Sequence, residues 1–132
     1  MTEHYHAIVW IDHREAKIFH FSATDVDKVM IPSHATGHHQ HHKANTTGSG
    51  HLGVDKEFFQ RVIAALTHTG AILLTGPANA KTELKNFIQQ HRPDLDKRIS
   101  GVESLDHPSD AALVALARKF FKADDRMHAQ NE

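Results

Sequence analysis

The sequence contains no cysteine, which excludes disulfide staples, thiolate metal sites and thiol nucleophiles and agrees with a reducing compartment such as the cytoplasm. It also has no long hydrophobic run. The longest apolar stretches, Ala7 to Ile11 and Ala71 to Leu74, fall far short of the roughly 20 residues a membrane-spanning helix needs, so no membrane partner is expected. The opening Met1-Thr2-Glu3-His4 has neither a basic nor an apolar region and does not read as a secretory signal. An excess of either charge is missing too: 15 Lys and Arg face 16 Asp and Glu, for a formal net charge of -1. That balance argues against strong nonspecific nucleic-acid binding, and DNA is not an expected partner. What the chain has in excess is histidine, 14 of 132 residues. Free imidazole titrates near pH ~6.5, so the net charge can swing positive within a unit or two of neutrality.

The length suits one domain, expected over residues 1–123, with a flexible polar tail over 124–132. Ala7-Ile8-Val9-Trp10-Ile11 is almost continuously apolar, as a strand covered on both faces should be. Asp12 to Glu15 reads as a hairpin connection, Ala16 to Phe21 as its partner strand, and Val26 to Ile31 as a third strand ending at Pro32. Asp55 is placed to cap a helix in which Phe58, Phe59, Val62, Ile63 and Leu66 share a face, with Gly70 ending it. Ala71 to Thr75 is a buried strand, Gly76-Pro77-Ala78 its turn, and Asn79 the cap of a helix carrying Leu84, Phe87, Ile88 and His91. His91 is expected to be partly buried there, and Arg92-Pro93 stops the helix. Ile99 to Leu105 forms a last strand, and after His107-Pro108 a helix sets Leu113, Leu116, Ala117 and Phe120 on one face, with fraying from Ala123. The order β-β-β-α-β-α-β-α predicts an α/β fold, a mixed five-stranded sheet with helices packed on it.

Residues 33–53 break this pattern. They hold almost no apolar side chain, are punctuated by Gly37, Gly48, Gly50 and Gly53, and read as an exposed loop. A loop of this length inside a compact domain is commonly functional or disordered. It carries His34, His38, His39, His41, His42 and His51, with Lys43 as its other charge and no carboxylate. Donors and partial positive charge suit phosphate oxygens and unpaired bases, so His34, His38, His39, Gln40, His41, His42, Lys43 and His51 are candidate RNA contacts. Alternatively, imidazole suits zinc and nickel, and in an extended segment His39 and His41 point the same way, which makes His38, His39, His41 and His42 a candidate metal cluster. The bland reading, a solvated loop, stays open beside both.

One segment, Leu73-Leu74-Thr75-Gly76-Pro77-Ala78-Asn79-Ala80-Lys81-Thr82-Glu83-Leu84, resembles the strand, Gly-turn, Lys and helix of the middle domain of the eukaryotic and archaeal peptide-chain release factor and its ribosome-rescue relative Pelota. The opening Ala7 to Phe21, with Asp12 at the turn, is similar to the first hairpin of that domain, and Lys97 to Asp106 falls where the family has its last strand. The resemblance spans roughly residues 5 to 122 and implies a three-layer, ribonuclease-H-like fold, a relation to the translation machinery, and a ribosome or another RNA as partner. In the release factor the long loop carries a Gly-Gly-Gln tripeptide that promotes peptidyl-tRNA hydrolysis. Here Gln40 follows His38 and His39, which cannot supply glycine's backbone freedom. The expectation is therefore a non-enzymatic module with no cofactor other than an optional zinc or nickel ion. An altered peptidyl-tRNA hydrolysis factor using Gln40 is the third reading. The flanking domains have no counterpart in the resemblance, so codon-dependent release is not implied.

Other chemistry is poorly supported. The turn Gly76 to Lys81 lacks the Gly-Lys-Ser/Thr ending of a phosphate-binding loop. Nuclease chemistry needs several carboxylates converging on metal ions, whereas Asp12 and Glu103 have no evident third partner and Asp12 fits a turn former. Lys81, Lys85, Arg118, Lys119 and Lys122 read as a solvated basic helix surface.

Overall fold

The run Ala7 to Ile11 is apolar at every position because it lies in the middle of a five-stranded sheet, buried on both faces. In the computed structural model the described residues are 6–22, 24–33 and 56–129, with side chains as far as Lys122. The elements are β1 (His6–Ile11), β2 (Glu15–Phe21), β3 (Val26–Pro32), α1 (Lys56–Leu66), β4 (Ala71–Gly76), α2 (Ala80–His91), α3 (Pro93–Asp96), β5 (Ile99–Ser104) and α4 (Asp110–Ala129). The sheet order is β3-β2-β1-β4-β5, with the first three strands an antiparallel meander and β4 and β5 parallel to β1.

Alternation along the strands divides the core in two. Ala7, Val9, Ile11, Ile18, Ile72 and Leu74 face α1, α2 and α3, while Ile8, Trp10, Phe19, Phe21 and Leu73 face α4. The result is the expected three layers: helices, sheet, helix. α1 buries Phe58, Phe59, Val62, Ile63 and Leu66, as its periodicity predicts. It ends at Leu66, before Gly70, because Thr67 Oγ1 donates to Ile63 O at 3.0 Å and Thr69 N–H to Leu66 O at 3.0 Å, turning the chain early. Asp55, its predicted cap, lies outside the described residues.

Several local expectations are corrected. Asn79 precedes α2 but sits in the α region and makes no side-chain cap; Lys81 Nζ donates instead to Ala78 O at 2.5 Å. Arg92-Pro93 ends α2, yet Pro93 also opens the single turn of α3, which buries Leu95 completely. On α4 the buried line is Leu113, Ala117 and Phe121, with Leu116 and Phe120 only half-buried beside it. Phe120 lies instead over Gly101 of β5, where a Cβ would stand 3.0 Å from its ring. The helix α4 runs to Ala129.

At the start of α4, Asp110 accepts a 2.7 Å hydrogen bond from Lys28 Nζ and lies 3.7 Å from Lys17 Nζ. These contacts tie the helix to β2 and β3. The Lys28 hydrogen bond, opposed by partial desolvation and aided by the charges of Lys28 and Lys17, holds the Asp110 carboxyl below its ordinary value. A depressed carboxylate stabilises the fold above its unfolded pKa of about 3.9 and loses that contribution as pH falls through the lower folded value. Asp110→Asn is therefore expected to be less stable than wild type near neutrality, the difference vanishing in acid below about pH 4 and shrinking in high salt because the pair is exposed. Urea titrations of both proteins across pH 2 to ~7 check this. An unchanged difference in acid would contradict it.

Candidate functional site

Because β1, β3, β4 and β5 all run the same way, their carboxyl ends meet at one end of the sheet. In open α/β sheets the crevice outside those ends is where ligands bind. Here it is framed by the Asp12-His13-Arg14 turn, by Ser33 at the end of β3, by the Gly76 to Asn79 turn and by the segment from Leu105 to Ser109. Segment 34–55 departs from this end after Ser33 and leads into α1 at Lys56.

Each part of this frame is held by specific contacts. Asp12 Oδ1 accepts the Arg14 N–H at 2.8 Å and the Glu15 N–H at 3.0 Å, a side-chain turn that makes Asp12 the expected turn former. Ser33 is buried and its N–H donates to Arg14 O at 2.9 Å, while Arg61 Nη2 donates to Pro32 O at 3.0 Å. The stem from which the histidine-rich segment leaves is thus fixed both to the turn before β2 and to α1. Gly76 is the tightest point. Its φ is 155°, and a Cβ there would drive into the carbonyl oxygen of Ile11. Thr75 Oγ1 donates to Val9 O at 2.7 Å and Leu105 N–H to Gly76 O at 2.9 Å, so β4 is tied to both neighbours at its end. Trp10 Nε1 donates to Asp106 O at 2.9 Å, with the His107 ring 5.0 Å and Lys17 Nζ 5.4 Å from its own.

Two titratable side chains come together across the crevice. His13 Nε2 and Glu83 Oε1 are 3.2 Å apart, joining the first hairpin to the first turn of α2. Nothing local in the sequence signals this pair, whose members are 70 residues apart. Asp12 and Glu103 occupy the ends of strands separated by β4, and among the described residues no three His, Cys, Asp or Glu side chains are grouped to hold a metal ion. Lys81 is not solvated, as sequence reading has it; it is 7% exposed and bridges its own turn through Ala78 O. Lys85 pairs with Asp96 at 2.8 Å, and Arg118 donates to Ser22 O at 2.8 Å while lying over the Phe21 ring. Lys119 and Lys122 are exposed, as expected. His91 is exposed rather than partly buried, its ring tilted against that of Phe87 with centroids 4.3 Å apart. The candidate contacts His34, His38, His39, Gln40, His41, His42, Lys43 and His51 lie outside the described residues.

No protein-family model and no curated protein matches the sequence. Solved structures do match the fold. The Pelota protein of Archaeoglobus fulgidus superimposes with a TM-score of 0.62 over 89% of this chain and 32% of its own, at 16% identity. The Pelota protein of Thermoplasma acidophilum gives 0.55 over 83% of this chain and 30% of its own, at 19% identity. An archaeal translation termination factor gives 0.54 over 96% of this chain and 39% of its own, at 14% identity. The chain thus spans about a third of the length of these proteins. With its antiparallel meander and its parallel β4 and β5, the chain has the ribonuclease-H-like fold of the middle domain of the release-factor and Pelota type.

Proposed function

We propose that the protein is a non-enzymatic module related to the translation machinery, which contacts the ribosome or another RNA through the histidine-rich segment 33–53. The observation that carries this reading is positional. The acid-free segment departs from the carboxyl end of the sheet, from a stem clamped by Ser33, Arg14 and Arg61, on a fold shared with Pelota and an archaeal termination factor. His34, His38, His39, Gln40, His41, His42, Lys43 and His51 present donors and no carboxylate, which suits a phosphate-rich surface. Protonation of these imidazoles strengthens such contact below neutral pH.

Sedimentation with ribosomes from the native cell tests the proposal. The full chain is expected to pellet with ribosomes, more at pH ~6 than at pH ~8 and less at high salt. A variant in which residues 34–53 are replaced by a short Gly-Ser linker is expected to stay in the supernatant. Equal behaviour of the two proteins would end the idea. The zinc or nickel reading of His38, His39, His41 and His42 makes the opposite use of the same side chains. Pelleting that disappears in a chelator would transfer the support to it. Retained pelleting by Gln40→Ala separates contact from any hydrolytic use of that residue.

A further inference from the structure

Lys81 is a covered cation without a counter-charge. It is 7% exposed, and its Nζ donates to Ala78 O in a bond that is only partly buried, so the stem is covered while the ammonium stays at the margin of the crevice. Ala78 O is a neutral acceptor and serves one of the ammonium's three N–H groups. Among the described residues no Asp or Glu lies within ion-pair distance of Lys81. Lys85, one turn further along α2, shows the contrast, paired with Asp96 at 2.8 Å. The acids at this end of the sheet do not supply the missing charge. Glu83 faces His13 at 3.2 Å, and Asp12 Oδ1 is taken by the N–H groups of Arg14 and Glu15.

The position makes that lack unfavourable twice over. Covering a charge without an opposite charge beside it costs free energy, and the first turn of a helix, where the dipole is positive, is the wrong end for a lysine. The same end leaves further donors open. Asn79 gives α2 no side-chain cap, and the first helical N–H to find a carbonyl is that of Glu83, bonded to Asn79 O at 2.9 Å. The N–H groups of Lys81 and Thr82 therefore have no acceptor among the described residues. Thr82 is exposed and adds a hydroxyl. Ammonium, backbone N–H groups and hydroxyl are all donors, and a tetrahedral oxyanion is the ligand that can accept from several of them while cancelling the charge.

We infer that the first turn of α2 holds a phosphate group, with the Lys81 ammonium as its counter-charge and the Lys81 and Thr82 N–H groups as donors. The turn from Gly76 to Lys81 is one residue shorter than a nucleotide-hydrolysing loop and has Ala80 where that loop has the glycine before its lysine, so it binds a phosphate without reacting with it. Its residues belong to the turn between β4 and α2, so the site stands or falls independently of ribosome contact through segment 33–53.

Amide NMR of the full chain, titrated with inorganic phosphate at constant ionic strength near neutral pH, tests this. The Lys81 and Thr82 amides are expected to shift saturably, and acetate at the same ionic strength to leave them in place. Lys81→Met keeps the covered stem and loses the charge, and it should bind phosphate at least about tenfold more weakly. It should melt no lower than wild type in phosphate-free buffer, because a covered charge without a counter-charge is gone. Phosphate at about ten times its dissociation constant should raise the wild-type melting temperature by about 5 °C and leave that of Lys81→Met in place. A 5′-phosphorylated oligoribonucleotide and AMP, read at the same two amides, distinguish an RNA end from a free nucleotide as the source. If neither binds more tightly than inorganic phosphate, the turn takes an adventitious ion only and the inference fails. Unmoved amides in the wild-type chain, equal shifts with acetate, undiminished binding by Lys81→Met, or a lower melting temperature of that variant without phosphate would each overturn it as well.

Discussion

Gly76→Ala is expected to destabilise the protein by about 3 kcal/mol or more, the upper end of single-residue effects. Two independent costs act at this position. The backbone angle of 155° is one that side-chain-bearing residues rarely adopt, and the added methyl points into the Ile11 carbonyl, a backbone atom in the middle of the sheet. Neither can relax cheaply, because β1 is paired with β2 from His6 to Ile11 and with β4 from His6 to Trp10. Relief would require the end of β4 to withdraw from β1, breaking the Thr75 Oγ1 to Val9 O hydrogen bond. Gly101→Ala makes the useful contrast. Its methyl meets the far end of the half-buried Phe120 ring, which can swing aside, so a loss of about 1 kcal/mol is expected. Urea unfolding followed by circular dichroism measures both. Equal losses at the two glycines would mean that the approach of β4 to β1 is looser than the contact with Ile11 implies.

Much of this body was legible before any coordinates. Runs such as Ala7 to Ile11 and Ala71 to Leu74 are apolar at consecutive positions, and only burial on both faces accounts for that. α1 was legible for the complementary reason: Phe58, Phe59, Val62, Ile63 and Leu66 fall on one stripe. What failed were features decided by contacts distant in sequence. Lys81 reads as a surface base because nothing local shows that its ammonium folds back onto Ala78 O under cover of the sheet end. Phe120 and Phe121 are adjacent and equally apolar. Which of them is buried depends on where α4 crosses β1 and on the space above Gly101, not on the helix repeat. The short α3 is invisible for another reason: four residues carry no periodicity, and Pro93 reads more naturally as a stop than as a start. At the candidate site the composition of segment 33–53 was conspicuous, whereas the His13–Glu83 pair and the clamp on Ser33 emerge only when the meander brings residues from three strands and a helix to one end.

Trp10→Ala is expected to cost about 3 to 5 kcal/mol, the range for emptying a large aromatic from a core. Trp10 is 2% exposed in the second core layer, between β1 and the chain that follows β5. Its Nε1 donor is the side-chain link from the central strand to Asp106, so truncation removes packing and leaves that carbonyl without its donor. It also removes the ring on which Lys17 and His107 rest. Trp10→Phe retains most of the volume but not the donor, and about 1 to 2 kcal/mol is expected. The gap between the two variants separates the cavity from the hydrogen bond, and far-ultraviolet dichroism must report it, since Trp10 is the chain's one tryptophan and its fluorescence is lost in both. The functional consequence is specific. The Leu105 to Ser109 wall of the crevice is anchored through Trp10, whereas the Ser33 stem is anchored through Arg14 and Arg61. Trp10→Phe should therefore loosen the first wall, seen as faster amide exchange from Leu105 to Ser109, while ribosome pelleting through segment 33–53 is kept. Loss of pelleting in a folded Trp10→Phe protein would place the contact on the β5 side of the crevice instead.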